Sequence, residues 1–326
     1  MRHTGLMLNL RVLTPSRLTA DVVRVLEDEP CVSSLAVVPG AAIRPAGDLV
    51  MADLPRETAN SIVEQLRALG VHHEGTIEIQ PVDTWLSRDG FDAELKASGS
   101  SADAVVWADV AQRSYEESEL NWTYVSFMSL ATLIAAIAIV LDSQILLIGA
   151  MVLGPEFGAV AALGVALVRR RPALFGHAVR TLVLGFAAAI AFTTMCALLG
   201  RAMGWITLSD LTGPRPATQF IDSPDKWSFI VAVIAGAAGV LSLTSARSGG
   251  LTGVFISVTT VPAAGNIALG IAFGATDEIS SSALQLLVNI LGMAIAGWLT
   301  LVLQQFVWSR GSLRRTKAMT RPKRML

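Results

Sequence analysis

The stretch WTYVSFMSLATLIAAIAIVL, residues 122–141, runs through Asp142-Ser143 into QILLIGAMVLGPEFGAVAALGVALV, residues 144–168, and its reading decides the fold. The first part carries no charged side chain and the second carries only Glu156. Each reaches the roughly 20 apolar residues that cover a bilayer core of about 30 Å. The tight Leu141-Asp142-Ser143 junction makes the two a helical hairpin. Working outward, further apolar stretches occupy residues 177–199, 227–245, 250–273 and 283–308. With 122–141 and 143–168 they predict six transmembrane helices over residues 122–308, a polytopic α-helical membrane protein whose first partner is the lipid bilayer.

The composition of the 326 residues agrees: 52% are hydrophobic, 16% are charged and the mean hydropathy is +0.56. Soluble domains carry about 25% charged residues. The deficit lies beyond Trp122, whereas residues up to Asn121 read as an ordinary soluble protein. A net charge of −1 offers no basic surface for nucleic acid, so no such partner is expected. Cys31 and Cys196 provide neither a disulfide framework nor a metal-binding spacing. Residues 1–15 alternate rather than form a basic stretch before an apolar core, so insertion is expected to rely on the internal helices.

Residues 1–82 are expected to form a ferredoxin-like domain. Leu6, Leu8, Leu10 and Val12 alternate as a strand with one buried face. Ser16 can cap a helix whose Leu18, Val22, Val25 and Leu26 share a face. An apolar run from Val32 to Val38 ends at Pro39-Gly40, and 48–54 reads as a third strand. Pro55 opens a helix with Ala59, Ile62, Leu66 and Leu69 in register, closed by Gly70. A last strand at 76–82 completes the order βαββαβ. The pattern also resembles regulatory domains of the ACT type, which implies a ligand- or partner-controlled element. A folding and assembly module is the simpler reading, since this topology hosts many unrelated tasks. The adjacent His72-His73 read as an exposed loop pair.

Residues 83–121 are a linker followed by a connector helix. Gly90 and Gly99-Ser100-Ser101 mark the linker, and the acidic Glu116, Glu117 and Glu119 argue for a helix packed on protein rather than on anionic lipid. Basic residues set the orientation of the bundle. Arg169, Arg170, Arg171, Arg180 and Arg247 flank two loops, and residues 309–326 form a basic tail. The opposite side holds Asp142, Asp210, Asp222, Asp225, Asp277 and Glu278. The positive-inside rule places both termini in the cytoplasm, as six crossings require.

The second and fifth spans share a pattern. Gly154-Pro155-Glu156-Phe157-Gly158 precedes Leu163-Gly164-Val165-Ala166, and Val261-Pro262-Ala263-Ala264-Gly265 precedes Leu269-Gly270-Ile271-Ala272. Three helices per half give the halves opposite orientation, the inverted-repeat logic of secondary transporters with sites at broken helices. Pro155 and Pro262 each lie about 12 residues, or roughly 18 Å, into their spans. Proline removes a backbone donor, which lipid cannot replace. Polar residues gather there: Glu156 with Gly154 at the first break, and Ser257, Thr259, Thr260 and Asn266 at the second. Glu156 reads either as an ion or proton site or as a neutral acid bonded to a neighbouring helix. Asn289 and Gln285 line a cavity or hold helices together, the latter being the simpler role. Gly149, Gly236, Gly239, Gly253 and Gly292 permit close packing, and Arg247 is a topology determinant.

From Asp142-Ser143 through Gly149-Ala150-Met151 to Pro155, the chain resembles a prokaryotic family of uncharacterised hydrophobic-domain proteins, domain-of-unknown-function family three-eight-nine. A second block, Ala235 to Gly239 and then Gly253 to Pro262, resembles it too, and Asn289 falls where similar sequences carry an asparagine. The resemblance implies an apolar residue where Glu156 stands and a Pro-Pro pair where Val261-Pro262 stands. It implies a family but no activity.

The expected function is a transporter or channel-like protein for a small solute or ion, with its site between the second and fifth spans. The alternative is a membrane sensor or scaffold whose N-terminal domain binds a ligand or partner. No His-Glu-x-x-His motif or Ser–His pair occurs, so no enzyme, cofactor, catalytic residue or metal is expected. Small-residue faces point to a homo-oligomer, and the compartment is the inner membrane.

Overall fold

The computed structural model describes residues 7–82, 84–97, 104–218, 221, 226–244 and 259–319. Ser257, Arg247, Gly253, Asp222, Asp225, Gly99-Ser100-Ser101 and residues 250–258 of the expected fifth span lie outside the described residues. The chain forms two compact units, one built mainly on Met1–Val110 and the other on Ala111–Leu243 and Ser248–Gln305.

In the first unit, alternation in the sequence becomes strand β1 (Met7–Thr14), which buries Leu8, Leu10 and Val12. Helix α1 (Ser16–Glu27) lays Val22 and Leu26 on them. Strands β2 (Ser34–Ile43) and β3 (Ala46–Pro55) form a hairpin, and a 3-10 turn leads into α2 (Ala59–Ala68), which adds Ile62 and Leu66 to the core. A single turn, α3 (Val71–Glu74), precedes β4 (Thr76–Val82). The sheet order is β2-β3-β1-β4 with every neighbouring pair antiparallel, the order that a split βαββαβ chain produces.

Two local readings are corrected. Pro39-Gly40 does not end the second strand. The chain passes through it with a register shift between Val38 and Ala42, and Gly40 adopts φ +65°. An edge strand tolerates a proline and a bulge because one side of its backbone has no ladder to satisfy. His72-His73, exposed as expected, sit in α3 rather than a loop, with ring centroids 3.8 Å apart. Cys31 is buried, and burial pushes its thiol up to about 11, which keeps it unreactive.

Asp48 locks this unit. Its carboxylate accepts from Thr19 Oγ1 at 2.6 Å, from the Gly40 N–H at 2.9 Å and from Ser16 Oγ at 3.0 Å. These bonds, led by Thr19, hold its pKa below the ordinary carboxylate value. A depressed carboxylate stabilises the fold above its unfolded pKa of about 3.9, and that contribution disappears as pH falls through the lower folded value. Acidifying from about pH 5 toward pH 2 should therefore lower the unit's thermal midpoint, and Asp48→Asn should flatten that dependence. An unchanged acid slope in Asp48→Asn would remove this role.

Helix α4 (Arg88–Lys96) follows, and the stretch ahead of α5 (Trp107–Glu117) is tied to the first unit. Arg56 Nε donates to the Ala104 carbonyl at 2.7 Å, and Asn60 Nδ2 to the Val105 carbonyl at 2.6 Å. The Trp107 N–H donates to Asn60 Oδ1 at 3.0 Å, and Val106 joins the core. The connector is packed on protein, and its helix starts at Trp107 because residues 104–106 are committed to these contacts.

The second unit contains α6 (Trp122–Val140), α7 (Gln144–Leu153), α8 (Glu156–Val168), α9 (Pro172–Ala202), α10 (Leu208–Thr212), α11 (Lys226–Thr244), α12 (Thr260–Phe273) and α13 (Thr276–Met319). Among the described residues, α6, α9, α11 and α13 up to Phe306 are long and apolar enough to cross a membrane. The pair α7 and α8 is bent by 52° at its break and makes a fifth crossing if it is one span. Helix α12, with 14 residues, is shorter. Large apolar side chains such as Ile145, Val183, Leu287 and Leu303 are more than half exposed, an outer surface suited to lipid and not to water. Helix α13 continues through Met319, beyond the end expected for the sixth span.

Local chemistry sets these boundaries. Asn121 caps α6 by accepting from the Tyr124 N–H at 2.8 Å. Asp142 takes φ +46° at the hairpin, and Ser143 caps α7. Pro172 opens α9 where no N–H is needed. Gly236, Gly239 and Gly292 do lie at close helix contacts. Gly149 does not: a Cβ there meets nothing within 4 Å, because its helix face points away from the unit's interior.

Candidate functional site

Helix α7 stops at Gly154-Pro155, and α8 restarts at Glu156. Proline has no N–H to continue the ladder, and Gly154, in extended backbone (φ −66°, ψ 128°), turns the chain. Glu156 is thereby placed in the first turn of α8, where backbone N–H groups favour a carboxyl group. It is only 8% exposed, and its Oε1 accepts from Thr260 Oγ1 at 2.5 Å.

Thr260 is itself the first residue of α12. The N-terminal ends of two helices therefore meet at one carboxyl group, each contributing roughly half a positive charge of helix dipole. This corrects the expected position of the second break. Pro262 stands in the first turn of α12, where a missing N–H costs nothing, and the helix begins two residues before it. Gly154 supplies space: a Cβ built there would lie 2.4 Å from Glu156 Oε2 and 2.6 Å from Val261 Cγ2. That oxygen is buried and has no hydrogen-bond partner among the described residues. The Tyr124 hydroxyl, within electrostatic reach of Glu156, is likewise buried without a partner.

Thr259 faces the other way. Its Oγ1 accepts from Asn289 Nδ2 at 3.0 Å and from Gln285 Nε2 at 3.2 Å, both on α13. Gln285 Nε2 also donates to Asn289 Oδ1 at 3.3 Å. Asn289 and Gln285 thus hold α13 to the start of α12, the interhelical role expected of them. Of the expected site residues, Glu156, Thr260, Gly154 and Pro155 come together, with Thr259 and Asn289 beside them.

Asn266 belongs elsewhere, which corrects its placement at the second break. Six residues beyond Thr260 it lies about 9 Å along the helix. Its Nδ2 donates to Glu278 Oε2 at 2.7 Å and to Ser282 Oγ at 2.8 Å, and its Oδ1 accepts from Arg215 Nη1 at 3.3 Å. Arg215 Nη2 reaches both Glu278 oxygens at 3.3 Å, a pair with side chains 7% and 15% exposed. Nearby in sequence, Thr218 Oγ1 and the Ala217 N–H donate to Asp142 at 2.9 and 3.3 Å. Asp142 therefore anchors the loop that carries Arg215, and Ser143 caps α7, whereas Met151 is simply buried. Sequence reasoning missed Arg215 and Glu278 as partners. Arg215 sits in a polar connection and Glu278 in the first turn of α13, places where a charge is unremarkable.

Fold and site together define the class, a helical membrane protein with a broken helix at a buried carboxyl group and a small N-terminal antiparallel sheet. Within that class, residues 151–295 match the family model Domain of unknown function (DUF389), in agreement with the resemblance carried by Met151, Pro155 and Asn289. The uncharacterized protein MJ0678 of Methanocaldococcus jannaschii is 27% identical over 167 residues, 51% of this chain and 49% of that relative. The chain thus matches about half the length of this curated relative. No solved structure matches the chain.

Proposed function

We propose that this protein is a transporter or channel-like protein for a small solute or ion, with its site where α8 and α12 begin. The observation that carries this reading is the buried bond from Thr260 to Glu156, made between the start of α12 and the start of α8 just after its break at Gly154-Pro155. Interrupted helices within a membrane expose backbone groups that a packed scaffold has no need of, and binding sites in transporters are built on them. The reading includes six spans in two inverted three-helix halves, α6 to α9 and then α11 to α13. The matched Gly154-Pro155 and Thr260-Val261-Pro262 elements, in contact with each other, support that symmetry. It also includes an inner-membrane location with both termini in the cytoplasm, and assembly of identical copies through small-residue helix faces.

Losing a buried hydrogen bond to a carboxyl group costs about 1–3 kcal/mol, or roughly 5- to 150-fold in an equilibrium. Thr260→Val should therefore cut ion flux by about 5- to 150-fold in proteoliposomes, and Thr260→Ser should restore it. The assay is a screen of sodium, potassium, chloride and proton movement against protein-free vesicles. No flux of any probe, or flux indifferent to both Thr260→Val and Gly154→Leu, would remove this site.

A further inference from the structure

The two oxygens of Glu156 have different surroundings. Oε1 accepts the Thr260 hydroxyl, whereas Oε2 is buried without a partner among the described residues. A Cβ built at Gly154 would lie 2.4 Å from it and 2.6 Å from the Cγ2 methyl of Val261, so the space beside this oxygen is narrow. An ionised oxygen held there unpaired is strongly unfavourable, and among the described residues no basic side chain pairs with it. A hard cation is a poor occupant, because such ions gather six or more oxygen ligands. Among the described residues no group of three or more acidic, histidine or cysteine side chains exists to supply them. A proton meets the need of this oxygen without any further ligand.

We infer that Glu156 carries an exchangeable proton on Oε2, and that the ion bound and released at the α8–α12 junction is a hydrogen ion. This rests on the transport reading above and names its ion. When the junction opens, the O–H bond at Oε2 breaks, the electron pair stays on the oxygen and the proton passes to water. The carboxylate left behind is held by the Thr260 hydroxyl and by the first-turn N–H groups of α8 and α12. Reprotonation reverses each step. The titratable neighbours are Tyr124 on α6 and Glu117 at the end of α5, whose Oε2 would lie 3.1 Å from a Cβ at Gly158. Helices α7 and α12 contain no charged side chain. On α9, Arg201 is committed to the Ala272 carbonyl.

The test is infrared spectroscopy of the full chain in lipid, comparing wild type with Glu156→Gln. The expected result is a protonated-carboxyl carbonyl band at neutral pH that is absent from Glu156→Gln. It shifts on transfer to D2O and disappears as pH is raised. Glu156→Asp keeps an acid at the site and should move the band rather than remove it, which covers poor accumulation of the glutamine variant. A wild type without the band, or with a band that never exchanges, overturns the proposal. Sodium or chloride flux without proton movement in the vesicle screen also overturns it while leaving transport standing. An exchanging band with no flux of any probe instead removes the transport reading and keeps the proton assignment.

Discussion

Gly236→Leu is expected to prevent accumulation of folded protein, and Gly149→Leu, on another apolar helix, is expected to have almost no effect. A Cβ at Gly236 would lie 2.5 Å from the Met293 carbonyl oxygen and 2.6 Å from its Cα. Backbone cannot rotate aside as a long side chain can, so α11 and α13 must separate along their length. Gly292 adds to the contact, since a Cβ there would lie 3.3 Å from the Ala232 Cβ. Overpacking a well-fitted contact costs about 1–3 kcal/mol, and a clash with backbone lies at or above that range. Membrane helices gain little from lipid when their packing is lost, so the damage is not compensated. At Gly149 a side chain meets open space, and leucine also improves helix propensity by up to about 1 kcal/mol. Size-exclusion profiles and thermal midpoints in detergent check both variants. Equal behaviour of the two would mean that α11 and α13 do not meet at Gly236.

Glu278→Leu should be the most damaging single change at the Arg215 cluster, by about 3–5 kcal/mol, because it strands a buried guanidinium. Asn266 loses a 2.7 Å bond in the same step. Pairing Glu278→Leu with Arg215→Met removes both charges, and the double variant should be more stable than the sum of the single losses predicts. The measurement is a double-mutant cycle of thermal stability in detergent. Additive losses would show that the two charges do not interact, against their 3.3 Å separation. Because Asp142 holds the same loop through Thr218, Asp142→Ala should weaken the cluster in the same direction by a smaller amount.

Four of the six expected membrane spans, and a fifth if α7 and α8 are one, were legible because insertion into lipid is a nearly local property. Each residue of 122–141 adds its own transfer free energy whatever it touches. The break at Gly154-Pro155 was legible for a similar reason, since proline lacks a donor in every context. The order of elements along the first unit also followed from local signals, as alternating and helical periods leave few ways to bury one face. Pro262 was less legible, because proline was taken to mark an interruption. In the structure it stands where helices accept it, just after their start.

The sequence by itself determined an apolar helical protein, a small α/β unit ahead of it and a carboxyl group at a helix break. What only the tertiary structure decided was which groups share a partner. Glu156 and Thr260 are 104 positions apart, Arg215 and Glu278 are 63 apart, and no periodic pattern couples such distances. Asn266 shows the limit most plainly. It lies close to Thr260 in sequence, yet the rise of the helix carries it to a different cluster. Long-range pairing depends on how the helices pack together, and that packing turns an isolated Glu156 into a carboxyl group with one oxygen bound and the other unpaired among the described residues.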